Sequence, residues 1–221
     1  MSTFPSNDDL RAEHKRWRAG PTIISALKNN KHPNWGFVLV RTTYSNQSRW
    51  DEFMAEFERL TLEAVRDEPY SSQLEEKLEW TVLENRWRLD GATMLEASRY
   101  FLKWVARDPV GEIEAQASLM VHTYLVTYPR HEIFIYACPE TIDSILDPAR
   151  KKDFDRGNFV HLVKAPLCIK QADYEKAHNE SMTDEAWLRA KADSCLGMYS
   201  SLTDPDDWYN YQLRHPQIVY R

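Results

Sequence analysis

The sequence predicts an α+β fold: a ferredoxin-like, four-stranded antiparallel sheet with an inserted helix and a helical C-terminal tail. Three observations carry that prediction. Runs rich in β-branched and aromatic residues at 35–44, 78–84, 131–137 and 159–164 read as strands. Between them lie stretches whose apolar residues recur at three and four positions, the spacing of one helix face. The order strand, helix, strand, inserted helix, strand, helix, strand closes most simply as βαββαβ, with strands one and three central and helices on one face.

Residues 1–33 are polar apart from a short apolar run at 22–27 and read as an N-terminal arm. Residues 34–170 make the α+β core, and 171–221 a helical tail packing on it. Strand one, Trp-Gly-Phe-Val-Leu-Val-Arg-Thr-Thr-Tyr at 35–44, has the composition of a strand buried on both faces. Ser48 is the expected cap of the next helix, whose Trp50, Phe53, Met54, Phe57, Leu60 and Ala64 share a face; Pro69 ends it. After strand two and the Leu89-Asp90-Gly91 turn, Thr93 and Glu96 have capping-box spacing. They open a helix that buries Met94, Ala97, Ser98, Phe101, Leu102 and Val105 and stops at Pro109 and Gly111. Residues 112–128 mix a helix-favouring half with a β-branched half and take no single assignment. Pro139, suited to a first helical position, follows strand three and opens a helix through Leu146. A turn at 155–158 leads into strand four. The tail carries a helix over 183–199 and an aromatic-rich segment at 206–220.

Composition excludes several kinds of chemistry. Glycine is only 6 of 221 residues and no two lie within fifteen positions, so dinucleotide fingerprints, phosphate loops and serine elbows, which need paired glycines, are absent. Cys138, Cys168 and Cys195 are odd in number and widely spaced, and read as reduced thiols of a cytoplasmic protein. The seven histidines include no His-Glu-x-x-His pair, so neither a metal nor another cofactor is expected. With 28 basic against 34 acidic residues the net charge is −6 and basic residues are scattered, which argues against nucleic acid as a partner. No apolar run is long enough to span a membrane.

The motifs Trp35-Gly36-Phe37-Val38 with Arg41 and Tyr44, Trp80-Thr81-Val82, Leu89-Asp90-Gly91-Ala92, Trp104-Val105, Ile133-Phe134-Ile135-Tyr136 and Ile142-Asp143-Ser144-Ile145-Leu146 resemble a widespread family of ascomycete fungal proteins. The resemblance spans roughly residues 35–165 and consists of strand and helix-turn signatures. It implies a cytosolic fungal protein and brings no catalytic residue with it.

Two readings of function remain. As a binding protein, the chain offers Arg86-Trp87-Arg88, a large aromatic between two cations, and the tail residues Trp208 and Tyr211. The partner would be another protein or a second copy forming a homodimer, with docking of the tail on its own domain as the plainer role for Trp208 and Tyr211. The alternative is a cofactor-independent cyclase, isomerase or lyase of secondary metabolism. In the expected antiparallel sheet the end of strand one lies beside the starts of strands three and four, so Arg41, Tyr44, His131 and His161 would share one end and form a catalytic group. A closed pocket lined by those four would mark the enzyme, and an exposed aromatic patch at Trp87 or Trp208 the binding protein.

Overall fold

The computed structural model describes residues 18–30, 32–107, 129–147, 158–178, 186–204, 206–212 and 218–219. The stop at Pro109 and Gly111, the 112–128 stretch and most of the 155–158 turn lie outside them.

Strands β1 (Val38–Arg41), β2 (Val82–Leu83), β3 (Ile133–Ala137), β4 (Phe159–Lys164), β5 (Trp187–Lys191) and β6 (Ile218–Val219) form one sheet in the order β2-β1-β3-β4-β5-β6. β2, β1 and β3 run parallel, β4 is antiparallel to both β3 and β5, and β6 is parallel to β5. The fold is therefore α+β with a mixed sheet, which corrects the four-stranded antiparallel expectation, although strands one and three are adjacent and internal as expected. The physical reason is the connection after β1. Helix α1 covers Ala19–Asn30, and α2 covers Gln47–Arg66. The 20 residues of α2 carry the chain about 30 Å back along the sheet, so β2 starts where β1 started and runs the same way.

Alternation along the strands divides the core into two layers. Phe37, Leu39, Ile133, Ile135, Val160, Leu162, Leu188 and Ala190 point to one face, where Trp50, Phe53 and Phe57 of α2 pack. Val38, Val40, Phe134 and Val163 point to the other, against Ala97 and Phe101. Those two belong to α5 (Met94–Val105), which follows α3 (Ser71–Lys77) and the one-turn α4 (Arg86–Leu89). The sheet is thus covered on both faces, and its winding reverses between β1 and β3. The crevice at their carboxyl ends is the place where such sheets put functional groups.

Several elements follow the sequence closely. The Thr93–Glu96 capping box is present, strand four spans Phe159–Lys164, and Pro139 opens a helix, α7, that ends at Leu146. Others are corrected. The 19–30 part of the expected arm is α1, whose Ile23, Ile24 and Leu27 are buried in the core. Asn46, not Ser48, caps α2, its side chain accepting from the Arg49 N–H. Strand two shrinks to two residues plus an isolated parallel bridge from Trp35 to Leu78. That bridge needs Gly36, which has φ +114° and whose added Cβ would lie 2.7 Å from the Glu79 carbonyl oxygen.

The C-terminal third departs most. Before β3 the chain makes the short α6 (Pro129–Glu132), and after β4 it enters α8 (Ala165–His178). From 186 on, the expected helix over 183–199 is instead β5, a 3₁₀ turn and α9 (Cys195–Ser201), because Leu188 and Ala190 alternate into the core while the strand pairs with β4; its first three positions lie outside the described residues. The final α10 (Asp207–Gln212) buries Trp208, and no described helix is long and apolar enough to cross a membrane.

Candidate functional site

Arg41 closes β1. Its side chain is only 3 % exposed and lies flat between the rings of Tyr44 and Trp50, 4.6 and 4.5 Å from their centroids. The guanidinium donates to the Thr43 carbonyl at 2.9 Å, to Gln47 Oε1 at 3.0 Å and to Glu84 Oε1 at 3.0 Å. Tyr44 donates its hydroxyl to the Arg41 carbonyl at 3.0 Å and accepts from the Asn85 N–H at 2.9 Å. Burial holds the Tyr44 phenol above its ordinary range, with the Asn85 bond partly offsetting it, so it stays protonated at neutral pH. These two residues come together as expected, and their contacts staple β1 to the exit of β2.

The histidines do not join them. Arg41 pairs in register with Ala137, and Ile133 lies four residues earlier, about 13 Å back along β3. His131 is farther still. It sits buried at the opposite end of the sheet, edge-on to His32 and Trp104. The four-residue catalytic group expected from an antiparallel sheet is therefore not assembled, and the parallel pairing of β1 and β3 is the reason. His161 does lie near the correct end, opposite Tyr136 of β3, but strand alternation sends it to the other face from Arg41. It is 2 % exposed, between Phe159 and Trp187. A further buried cation, Arg130, escaped the sequence reading. It donates to the Gly36 and Glu79 carbonyls at 3.0 and 2.8 Å, and it pairs with Glu79 at 2.9 Å, tying α6 to the start of the parallel strands.

The expected binding residues separate into two groups. Trp208 and Tyr211 are 0 % and 7 % exposed in the larger core cluster and so are not a free surface. Trp87 is 98 % exposed. It stands on α4, which Asn85 caps by accepting from the Arg88 N–H, with Arg86 and Arg88 exposed on either side.

Beside α4 opens a cleft of about 550 Å³ between β2 and α5, lined by Val82, Leu83, Glu84, Asn85, Arg88, Tyr100, Lys103, Trp104 and Arg107. Tyr100 and Trp104 stand one helical turn apart on α5, and Lys103 near the end of α5 is joined by Arg107 in the turn after it, so the cleft has an aromatic pair beside a cationic one. Glu84, the carboxylate in the cleft, is held by Arg41. Arg88, Lys103 and Arg107 thus leave an excess of positive charge on a chain that is acidic overall.

No family model, curated protein or solved structure matches this chain. The site must be read from its own chemistry. Its inner wall is firm: Phe101 and Phe134 pack 5.1 Å apart behind α5, and Trp104 leans on Phe101 and His131. The sequence signal that pointed here was Arg86-Trp87-Arg88. The Tyr100, Lys103, Trp104, Arg107 spacing at the end of α5 is equally legible in the sequence, as is a strand at 78–84, but not that the two lie side by side.

Proposed function

We propose that the protein is a binding module that captures an acidic polypeptide segment across α4 and the adjoining β2–α5 cleft. The observation that carries this reading is Trp87, 98 % exposed between two arginines, of which Arg88 also lines the neighbouring cationic cleft. A tryptophan in water leaves roughly 150–250 Å² of side chain available for burial, and such residues dominate interfaces when a partner covers them. Arg88, Lys103 and Arg107 select negative charge, while Tyr100 and Trp104 supply an aromatic floor. Three cations match a short acidic run, whereas the net charge of −6 repels an extended nucleic acid. The edge position of β2 favours an extended partner chain alongside it.

Selection from a displayed random-peptide library tests the reading. Sequences retained by the wild-type protein should be enriched in Asp and Glu, and the enrichment should vanish on an Arg88→Glu, Lys103→Glu variant. Retained peptides without acidic bias, or the same peptides on both proteins, would defeat it.

A further inference from the structure

The carboxyl end of β3 carries a second cluster that the binding reading does not use. Cys138 follows β3 directly and is the N-cap of α7; its side chain is half-buried. Its Sγ lies 3.5 Å from Thr141 Oγ1 and 3.9 Å from His161 Nδ1, and Thr141 Oγ1 is 2.8 Å from the same nitrogen. On the far side of the imidazole, Nε2 is 3.7 Å from Glu140 Oε2, while Glu140 Oε1 accepts from Arg189 at 2.9 Å. Thiol, hydroxyl, imidazole and carboxylate therefore stand in one chain, the order of a nucleophile, a base and the group that orients the base. We propose that Cys138 is a nucleophilic thiol that accepts an acyl group from an activated ester or thioester, with His161 receiving its proton through the Thr141 hydroxyl.

Each contact has a part in the step. Glu140 favours the tautomer with its N–H at Nε2, which leaves the Nδ1 lone pair to accept a proton. Thr141 passes its hydroxyl proton to Nδ1 as Cys138 passes its thiol proton to Oγ1, so the hydroxyl is regenerated and a thiolate faces an imidazolium. Thr141 then donates to the Tyr136 carbonyl, 2.9 Å away, and accepts from Nδ1–H, while the Glu140 carboxylate 3.7 Å from Nε2 offsets the imidazolium charge. The sulfur lone pair forms a bond to the acyl carbon, the bond from that carbon to the leaving oxygen or sulfur breaks, and the imidazolium proton goes to the leaving group. Water hydrolyses the resulting thioester in a second step. Cys138 is also the N-cap of α7, so the positive end of that helix's dipole lies at the residue that carries the thiol. The other thiols are poorer nucleophiles, since burial pushes both Cys168 and the fully buried Cys195 up.

The full chain treated with p-nitrophenyl acetate at pH 7, with acetylated sites mapped by peptide mass spectrometry, tests this. Cys138 should be acetylated at least ~10-fold faster than Cys168 or Cys195, in line with the usual contribution of a positioned base. The rate should fall by at least ~10-fold in His161→Gln and in Thr141→Val, and return in Thr141→Ser, which keeps the hydroxyl. Acetylation of Cys138 no faster than Cys168, or a folded His161→Gln variant reacting at the wild-type rate, overturns the proposal. Cys195 reports folding, because it is labelled only when the core opens. Should His161→Gln unfold, the threonine pair decides, and a Thr141→Val variant acetylated as fast as wild type overturns the proposal.

Discussion

Replacing Arg41 by alanine removes a guanidinium held by two aromatic rings, a backbone carbonyl, an amide and a carboxylate. Breaking a buried ion pair costs about 3–5 kcal/mol where the orphaned partner stays buried. Glu84 is 49 % exposed and regains water, which puts the expected loss at the lower end. Each cation–π contact contributes about 0.5–1 kcal/mol, and because the contacts overlap the expected total is about 3 kcal/mol. In a chain of this size that lowers Tm by roughly 6–12 °C. Urea unfolding followed by tryptophan fluorescence, with calorimetry for Tm, gives the number. Lysine at the same position keeps the charge but loses the flat fork, and should recover less than half of the loss. An Arg41→Ala variant within about 1 kcal/mol of wild type would refute the view that this arginine is a structural staple and return it to the list of functional cations.

Two other perturbations probe the fold. A methyl group at Gly20 would clash with the Pro69 carbonyl oxygen, so Gly20→Ala should destabilise by about 1–3 kcal/mol despite alanine's better helix propensity; an unchanged or higher Tm rejects that close approach. Glu132 is held above the usual carboxylate range chiefly by burial, with Lys164 at 3.8 Å partly offsetting it. The folded state then binds this proton more tightly than the unfolded one, so stability falls as pH rises from the unfolded value, about 4.3, through the folded value. Glu132→Gln removes that dependence, and its Tm relative to wild type should rise between pH 4 and pH 7; a constant or falling difference contradicts the sign.

Local signals in the sequence were reliable where local physics decides. Proline at a first helical position, a Thr-x-x-Glu box and the β-branched run at 159–164 each specify their element without help from distant residues. Trp-Leu-Arg-Ala-Lys at 187–191 does not, since its Leu, Ala, Arg and Lys favour helix. Pairing with β4 overrides them. Strand direction was the costlier miss. Parallel pairing of β1 and β3 can only be inferred from what lies between the strands, and it alone moved His131 to the wrong end of the sheet. For the same reason Arg41 and Tyr44, three residues apart, were placed together correctly, whereas the cleft, which needs β2 beside α5, was only half visible. In the sequence Cys138 is an isolated thiol and His161 a strand-end histidine, and nothing in their 23-residue separation indicates that they meet.

The affinity of a library-selected acidic peptide for wild-type protein and for Trp87→Ala, measured by calorimetry at one fixed salt concentration, bears most directly on the account. Trp87 is 98 % exposed, so its removal should leave Tm unchanged. Binding should weaken at least ~10-fold, as for a residue at the centre of an interface. Equal affinities for the two proteins would contradict the claim that this tryptophan and its flanking arginines form the binding surface.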